Sequence, residues 1–168
     1  MIFITVGTQK FPFDRLLQYI DKLIEKGILQ EEVFAQTGYS NYEPRYYTYQ
    51  RFLDREDFKQ YILNSQLVIT HGGTGSIMNA IKAGKKVIAV ARRKEYGEHI
   101  DNHQEEIIQQ LLGKKIILGV NQLEEIESVI LTYQSAETTP YSSNTEEIIA
   151  SIELYLFNLM KGDKVNNS

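Results

Sequence analysis

Short apolar strands alternate with amphipathic helices along this chain, and that alternation is the feature that most narrows its possible folds. Residues 2–6 form a β-branched, apolar run, and residues 13–26 then repeat apolar side chains at helical spacing. The pattern continues with predicted strands at 32–37, 67–70, 86–90 and 115–118, and with predicted helices at 54–64, 75–83, 100–112 and 123–131. Strands joined by helices pair in parallel. The pattern therefore predicts an α/β fold, a single Rossmann-like domain with a mostly parallel sheet.

The alternating pattern ends near residue 132, which sets the predicted domain organisation. Residues 1–132 are the predicted Rossmann-like domain, and residues 133–144 are a polar connector rich in Ser and Thr. The apolar pattern at residues 145–160 predicts a helix whose apolar side chains cover more than one narrow stripe of the helix surface. That helix either packs on its own sheet or docks on a partner protein. Residues 161–168 are expected to form a flexible tail.

Composition and charge narrow the class of protein. The chain has 168 residues, no cysteine and a formal net charge of -4. We therefore expect one domain without a disulfide, a thiolate zinc site or a cysteine nucleophile. The acidic balance argues against a nucleic-acid-binding protein, which normally has a basic face. Residues 1–6 lack the basic start of a signal peptide, and Lys10 and Asp14 interrupt the apolar run, so we expect a soluble, cytoplasmic chain.

Residues 70–79 are the segment with the most chemical information, Thr-His-Gly-Gly-Thr-Gly-Ser-Ile-Met-Asn between a predicted strand and a predicted helix. Three glycines let the backbone approach a ligand closely, and the free amides at the start of the helix favour a phosphate. Thr74 and Ser76 add hydroxyl donors. The segment predicts a phosphate site, and the alternative is a tight turn that binds nothing.

Two other phosphate-binding classes fit this segment less well. Residues 72–77 followed by residues 87–93 resemble the NADP site of a short-chain dehydrogenase, with Arg92 and Arg93 placed for the 2′-phosphate. However, Met78 occupies the third glycine position of that motif, and no tyrosine is followed four residues later by lysine. An NADP-dependent oxidoreductase is therefore a remote alternative. A P-loop kinase is excluded because no Gly-Lys-Ser/Thr triplet follows the glycines.

Four motifs, taken in order, resemble one known family. They are Met-Ile-Phe-Ile-Thr-Val-Gly-Thr-Gln at 1–9, His-Gly-Gly-Thr-Gly-Ser at 71–76, Ala-Gly-Lys-Lys-Val-Ile-Ala-Val at 83–90 and Asp-Asn-His-Gln at 101–104. The chain resembles the C-terminal-domain family (family 28) of GT-B glycosyltransferases. Within it, the chain is similar to small subunits of bacterial capsule and exopolysaccharide glycosyltransferases and to the soluble subunit of the dolichol-linked N-acetylglucosaminyltransferase.

The resemblance implies the donor-binding, catalytic half of an inverting UDP-sugar glycosyltransferase. It implies a membrane-anchored partner subunit that carries the acceptor half, and a polyprenyl-diphosphate-linked saccharide as acceptor. The chain would then be recruited to the inner face of the membrane through that partner. The sugar stays open between galactose, glucose, glucuronate and N-acetylglucosamine. We expect no metal cofactor, because no Asp-x-Asp motif is present. The alternative is a non-catalytic enhancer or nucleotide-sugar-binding subunit.

The resemblance also implies which residues bind the UDP-sugar. They are Gly7, Thr8, Gln9, Gly72, Gly73, Thr74, Gly75, Ser76, Asn79, Asn102, His103 and Gln104. Residues 7–9 could also be a plain strand-ending turn, and Asn102 could be a helix cap. Asn79 departs from the family, which often has a glutamate there to bind the ribose hydroxyls. His71 and His99 are the candidates for the general base, and the alternatives are a structural role for each and a base on the partner.

Overall fold

One parallel sheet of five strands organises the computed structural model, which describes residues 1–141. The order across the sheet is β3-β2-β1-β4-β5, and every neighbouring pair is parallel. The strands are β1 (Ile2–Thr5), β2 (Val33–Gln36), β3 (Thr48–Gln50), β4 (Leu67–His71) and β5 (Lys86–Val90). The predicted α/β fold is thus confirmed. The predicted helix at 145–160, the tail at 161–168 and the end of the predicted connector lie outside the described residues.

Within residues 1–141, five α-helices cover the two faces of this sheet. They are α1 (Asp14–Glu25), α2 (Arg55–Asn64), α3 (Thr74–Lys82), α4 (His103–Gly113) and α5 (Glu125–Thr132), with a short 3₁₀ helix at Lys94–Tyr96. Helices α1 and α5 bury their apolar residues on one face, and α2, α3 and α4 bury theirs on the other. Because both faces are covered, the central strands β1 and β4 are apolar up to their carboxyl ends, where Thr5 and residues 70–71 are buried polar residues.

Strand β1 shows how the two faces are filled. Ile2 and Ile4 point into the cluster beneath α1 and α5, whereas Phe3 points into the cluster beneath α2 and α3. The Phe3 ring lies 5.5 Å from the Phe58 ring and 5.6 Å from the Tyr61 ring, measured between centroids. A fully buried side chain of this size contributes about 1.5–3 kcal/mol. The sheet is therefore held in place by packing from both sides.

One predicted strand and the start of one predicted helix were wrong. The predicted strand at 115–118 is not a strand. Leu118 and Val120 each donate one backbone hydrogen bond to β5, and the only paired position of that segment is an isolated bridge between Val90 and Val120. Lys115 has a φ of 54°, which interrupts an extended strand. The predicted helix at 100–112 begins three residues late, at His103, because the Asp101 carboxylate accepts a hydrogen bond from the His103 amide and Asn102 occupies the cap position.

Candidate functional site

A cleft of about 410 Å³ lies at the carboxyl-terminal edge of the sheet. The loop after β1, the turn after β4 with the start of α3, and the start of α2 form its walls. Its lining residues are Gly7, Thr8, Gln9, Gln36, Leu53, Asp54, Arg55, Phe58, His71, Gly73, Thr74, Gly75 and Ser76. This is the position expected for a ligand site in a parallel α/β sheet, and the strand order places β1 beside β4 there.

The start of α3 offers backbone donors to this cleft. The first helical hydrogen bond runs from the Ile77 amide to the Gly73 carbonyl, so the amides of Thr74, Gly75 and Ser76 precede the helical ladder. No side chain caps the helix at Gly73. Uncapped amides at the positive end of a helix suit a phosphate. The start of α3 therefore offers free amide donors to the cleft, and phosphate binding there stays a prediction.

His71 forms the floor of the cleft between two glycines. A Cβ atom on Gly7 would lie 2.5 Å from His71 Cε1, and a Cβ atom on Gly73 would overlap His71 Nε2. Gly7 also has a φ of 77°, which favours glycine. Burial, with a smaller contribution from the nearby Arg92 charge, lowers the pKa of His71 to about 4. His71 is thus neutral at pH 7 and a weak proton acceptor, which favours a packing role over that of a general base.

His99, the other candidate base, lies in the loop after β5 and does not line the cleft. Its Nδ1 atom is 3.0 Å from a carboxylate oxygen of Asp101, and its ring lies 5.4 Å from the ring of Phe11. The side chain is partly exposed. A role for His99 as general base therefore stays a prediction.

Gln104 and Gly72 support the cleft from below. The buried Gln104 side-chain oxygen accepts hydrogen bonds from the Gly72 amide at 3.1 Å and from the Arg92 amide at 3.2 Å. A Cβ atom on Gly72 would lie 2.6 Å from Gln104 Cβ. These contacts join the turn after β4 to the segment after β5. Gln104 thus positions the backbone of the cleft through its oxygen.

Asn102 and His103 are not brought into the cleft. The Asn102 side chain accepts a hydrogen bond from the Lys94 amide at 2.9 Å, which closes the loop after β5. His103 Nδ1 lies 3.2 Å from a Glu106 carboxylate oxygen on an exposed surface of α4. A role for these two residues in sugar binding stays a prediction.

Asn79 lines a second cavity, a groove of about 680 Å³ between α2 and α3. Arg55 and Phe58 line both this groove and the cleft, so the two cavities adjoin. A ligand held at the start of α3 can extend along α3 toward Asn79. The predicted ribose position is therefore next to the predicted phosphate position without lying in the same cavity.

Sequence reasoning missed the wall of the cleft that comes from β2 and α2. Gln36 is buried, donates to the Thr5 hydroxyl at 3.1 Å and accepts from the Leu53 amide at 3.1 Å, so it positions the segment before α2. Asp54 caps α2 by accepting from the Asp57 amide at 2.8 Å. Two signals were present in the sequence. Gln36 lies near the end of the strand predicted at 32–37, and Asp54 begins a predicted helix, so both belong to the carboxyl-terminal edge of the sheet.

Arg92 and Arg93 do not form a 2′-phosphate site. Arg92 is completely buried, its guanidinium contacts the carbonyls of Val6 and Glu98, and it lies over the Phe13 ring. Burial lowers the pKa of Arg92 to about 10. Arg93 forms ion pairs with Glu95 and Glu105. The arrangement argues against the NADP-dependent oxidoreductase.

The family model described as "Glycosyltransferase family 28 C-terminal domain" matches residues 1–156. The chain belongs to the glycosyltransferase family 28 C-terminal domain family. Among its curated relatives are proteins named "UDP-N-acetylglucosamine transferase subunit ALG13". The protein from Yarrowia lipolytica is 36% identical over 63 residues, which is 38% of this chain and 30% of the relative. The protein from Candida albicans is 37% identical over 71 residues, which is 41% of this chain and 23% of the relative.

This family 28 chain thus matches about a third or less of the length of these curated relatives. Its fold is also similar to that of solved glycosyltransferases. The glycotransferase of kitacinnamycin aligns with a TM-score of 0.59 at 11% identity, over 80% of this chain and 35% of the other. MurG from Acinetobacter baumannii aligns with a TM-score of 0.54 at 15% identity, over 78% and 40%. At such low identity the likeness shows the fold, that of one half of a GT-B glycosyltransferase.

Helix length and apolarity bear on membrane association. Within residues 1–141, no helix is long and apolar enough to cross a bilayer.

Proposed function

We propose that this family 28 domain is the donor-binding, catalytic subunit of an inverting UDP-sugar glycosyltransferase. The observation that carries the proposal is the uncapped start of α3, which opens into the cleft opposite the loop after β1. The amides of Thr74, Gly75 and Ser76 would bind the diphosphate of the donor. They would also stabilise the negative charge that develops on UDP as it leaves.

The relatives favour one donor among the four sugars. Their name, UDP-N-acetylglucosamine transferase subunit, supports UDP-N-acetylglucosamine as the donor. It lends no support to capsule or exopolysaccharide synthesis, so we propose a lipid-linked saccharide as acceptor without assigning it to either. The word "subunit" in the same name supports a partner protein. We propose that this partner is membrane-anchored, supplies the facing wall of the cleft and holds the chain at the cytoplasmic face of the membrane.

The proposed reaction is a direct displacement. The acceptor hydroxyl attacks the anomeric carbon, its oxygen forms the new glycosidic bond, and the bond from that carbon to the UDP oxygen breaks. The hydroxyl proton passes to a general base. Because His71 is neutral, buried and a weak proton acceptor, His99 and a residue of the partner are the better candidates. We propose that no divalent metal is needed, since backbone amides would offset the diphosphate charge.

Calorimetric titration of the purified chain tests the donor site. We expect binding of UDP and UDP-N-acetylglucosamine, weaker binding of UDP-galactose, and no binding of NADPH. Gly75→Leu should abolish UDP binding, because Gly75 lines the cleft and its Cβ position is open, so leucine would fill the phosphate site without a clash. Gly113→Leu is the matched control, since its Cβ position is also open but lies outside the cleft. NADPH binding without UDP binding would overturn the proposal.

A reconstituted pair separates the catalytic subunit from a non-catalytic enhancer. With the membrane-anchored partner and a lipid-linked acceptor present, Gly75→Leu should abolish sugar transfer, and added EDTA should leave the transfer rate unchanged. Transfer that persists in Gly75→Leu would favour the enhancer. A requirement for magnesium would contradict the metal-free mechanism while leaving the donor site in place.

A further inference from the structure

We infer that Arg55 binds the phosphates of the donor nucleotide. The inference rests on the proposed function and assigns that site a side chain that none of the sequence motifs contains. Arg55 is the first residue of α2 and lines the cleft together with Gly73, Thr74 and Gly75 at the start of α3. Helices α2 and α3 both begin at the carboxyl-terminal edge of the sheet, so Arg55 and the free amides of α3 belong to one cavity.

The charges of the cleft single out Arg55. Among the residues that line the cleft in the described part of the chain, only Asp54 and Arg55 carry a charge at pH 7, because His71 is neutral. The Asp54 carboxylate accepts a hydrogen bond from the Asp57 amide and is thereby committed to the cap of α2. Arg55 is then the one cation that residues 1–141 contribute to this cavity. A nucleoside diphosphate is a polyanion, and a local positive charge attracts it in a chain whose net charge is -4.

The place of Arg55 within its own helix gives a second argument. A cation in the first turn opposes the helix dipole, which favours acidic residues there. The next two residues of α2, Glu56 and Asp57, follow that rule, whereas Arg55 does not. The Arg55 side chain is exposed and forms no hydrogen bond or ion pair with another residue in the range 1–141. An arginine that weakens its helix without a structural contact in return fits a ligand-binding role.

The guanidinium group suits the chemistry of this position. Its planar fork can donate two parallel hydrogen bonds to phosphate oxygens, which a lysine ammonium cannot do. Arg55 also lines the adjoining groove that contains Asn79. It therefore lies where a nucleotide would pass from the phosphate site to the ribose site. Arg55 would contact the phosphates from the side opposite the amides of α3.

Paired arginine variants test the inference by NMR titration of the labelled chain with UDP and with uridine. Arg55→Gln should raise the Kd for UDP by at least about tenfold, the value of one charge-assisted hydrogen bond, and change the Kd for uridine less than twofold. Arg51→Gln is the matched control, because Arg51 is an exposed arginine four residues before Arg55 that lines neither the cleft nor the groove. It should leave both Kd values within twofold. Arg55→Lys should recover part of the UDP affinity.

Each other result has a distinct meaning. If the native chain binds UDP and Arg55→Gln binds it with an unchanged Kd, the inference is overturned and the proposed function stands. If Arg55→Gln weakens uridine as much as UDP, Arg55 contacts the nucleoside, and the phosphate role is again overturned. If the native chain binds no UDP even with the partner present, the proposed function itself fails. The thermal unfolding midpoint of Arg55→Gln should not fall, which separates lost binding from lost folding.

Discussion

Single residues decide the shape of the cleft floor. His71 lies between Gly7 and Gly73, and neither glycine has room for a Cβ atom against the imidazole ring. Gly75, two residues further along, has no atom near its Cβ position. Gly73 and Gly75, two glycines of this motif, therefore have different structural roles. Gly73 permits the packing of His71, and Gly75 leaves space for a ligand.

Alanine substitutions at Gly73 and Gly75 should have different effects on stability. Gly73→Ala would push a methyl group into the buried His71 ring, and we expect it to destabilise the domain by about 1–3 kcal/mol. Gly75→Ala lies within α3 and should be neutral or stabilise by up to about 1 kcal/mol, because alanine is the better helix former. Chemical denaturation of both variants checks this. Equal stability of the two would contradict the packing of His71 against Gly73.

At the scale of elements, a buried carboxylate anchors the loop between β5 and α4. Glu98 accepts hydrogen bonds from Arg15 Nε and Nη2, each at 2.9 Å, and from the Arg93 amide at 3.0 Å. Arg15 belongs to α1, so Glu98 ties the loop to a helix on one face of the sheet. The loop leads to His99 and Asn102, two of the predicted site residues. The position of this loop therefore depends on the ion pair between Arg15 and Glu98, which are 83 residues apart in the sequence.

Removal of this charge should loosen the loop. Glu98→Gln leaves Arg15 and the buried Arg92 without a carboxylate, and we expect a loss of about 2–4 kcal/mol of stability. Hydrogen exchange at residues 93–102 should become faster. Glu95→Gln is the control in the same loop, since Glu95 is exposed and its pair with Arg93 should contribute little. A Glu98→Gln variant with native exchange in this loop would contradict the anchoring role.

At the scale of the whole molecule, one sheet shared by two apolar clusters makes the domain a cooperative unit, so its global unfolding exposes His71 to water. The pKa of His71 is about 4 in the folded chain, against an ordinary value of 6.5. Between pH 6.5 and pH 4, His71 therefore binds a proton in the unfolded chain but not in the folded chain. The contribution of His71 to the free energy of unfolding should be fully present above pH 6.5 and fall as the pH drops from 6.5 to 4.

Denaturation at a series of pH values measures this effect. The His71 contribution to the loss amounts to about 3 kcal/mol between pH 6.5 and pH 4. His71→Gln should remove this part of the pH dependence, whatever its effect on stability at pH 7. His103→Gln, on the exposed surface of α4, should keep the native slope. An unchanged slope in His71→Gln would mean that the histidine is not buried and neutral.

The sequence predicts elements that depend on neighbouring residues better than it predicts pairing between distant segments. The strands Leu67–His71 and Lys86–Val90 and the start of α3 follow from periodicity and glycine placement, which act within a few residues. The segment at 115–118 has the composition of a strand. Its pairing depends on how it meets β5. Lys115 in this segment has a positive φ, and the pairing with β5 that follows is an isolated bridge at Val120.

The sequence by itself determined the α/β class, the parallel sheet and the glycine-rich turn between β4 and α3, because alternating periodicity and clustered glycines are local properties of the chain. Only the tertiary structure decided which distant residues share the cleft. It placed Gln104 beneath the turn, buried Arg92, and brought Arg55 to the start of α3. The physical reason is that strand order and crossover packing set these neighbours, and no short-range pattern encodes them.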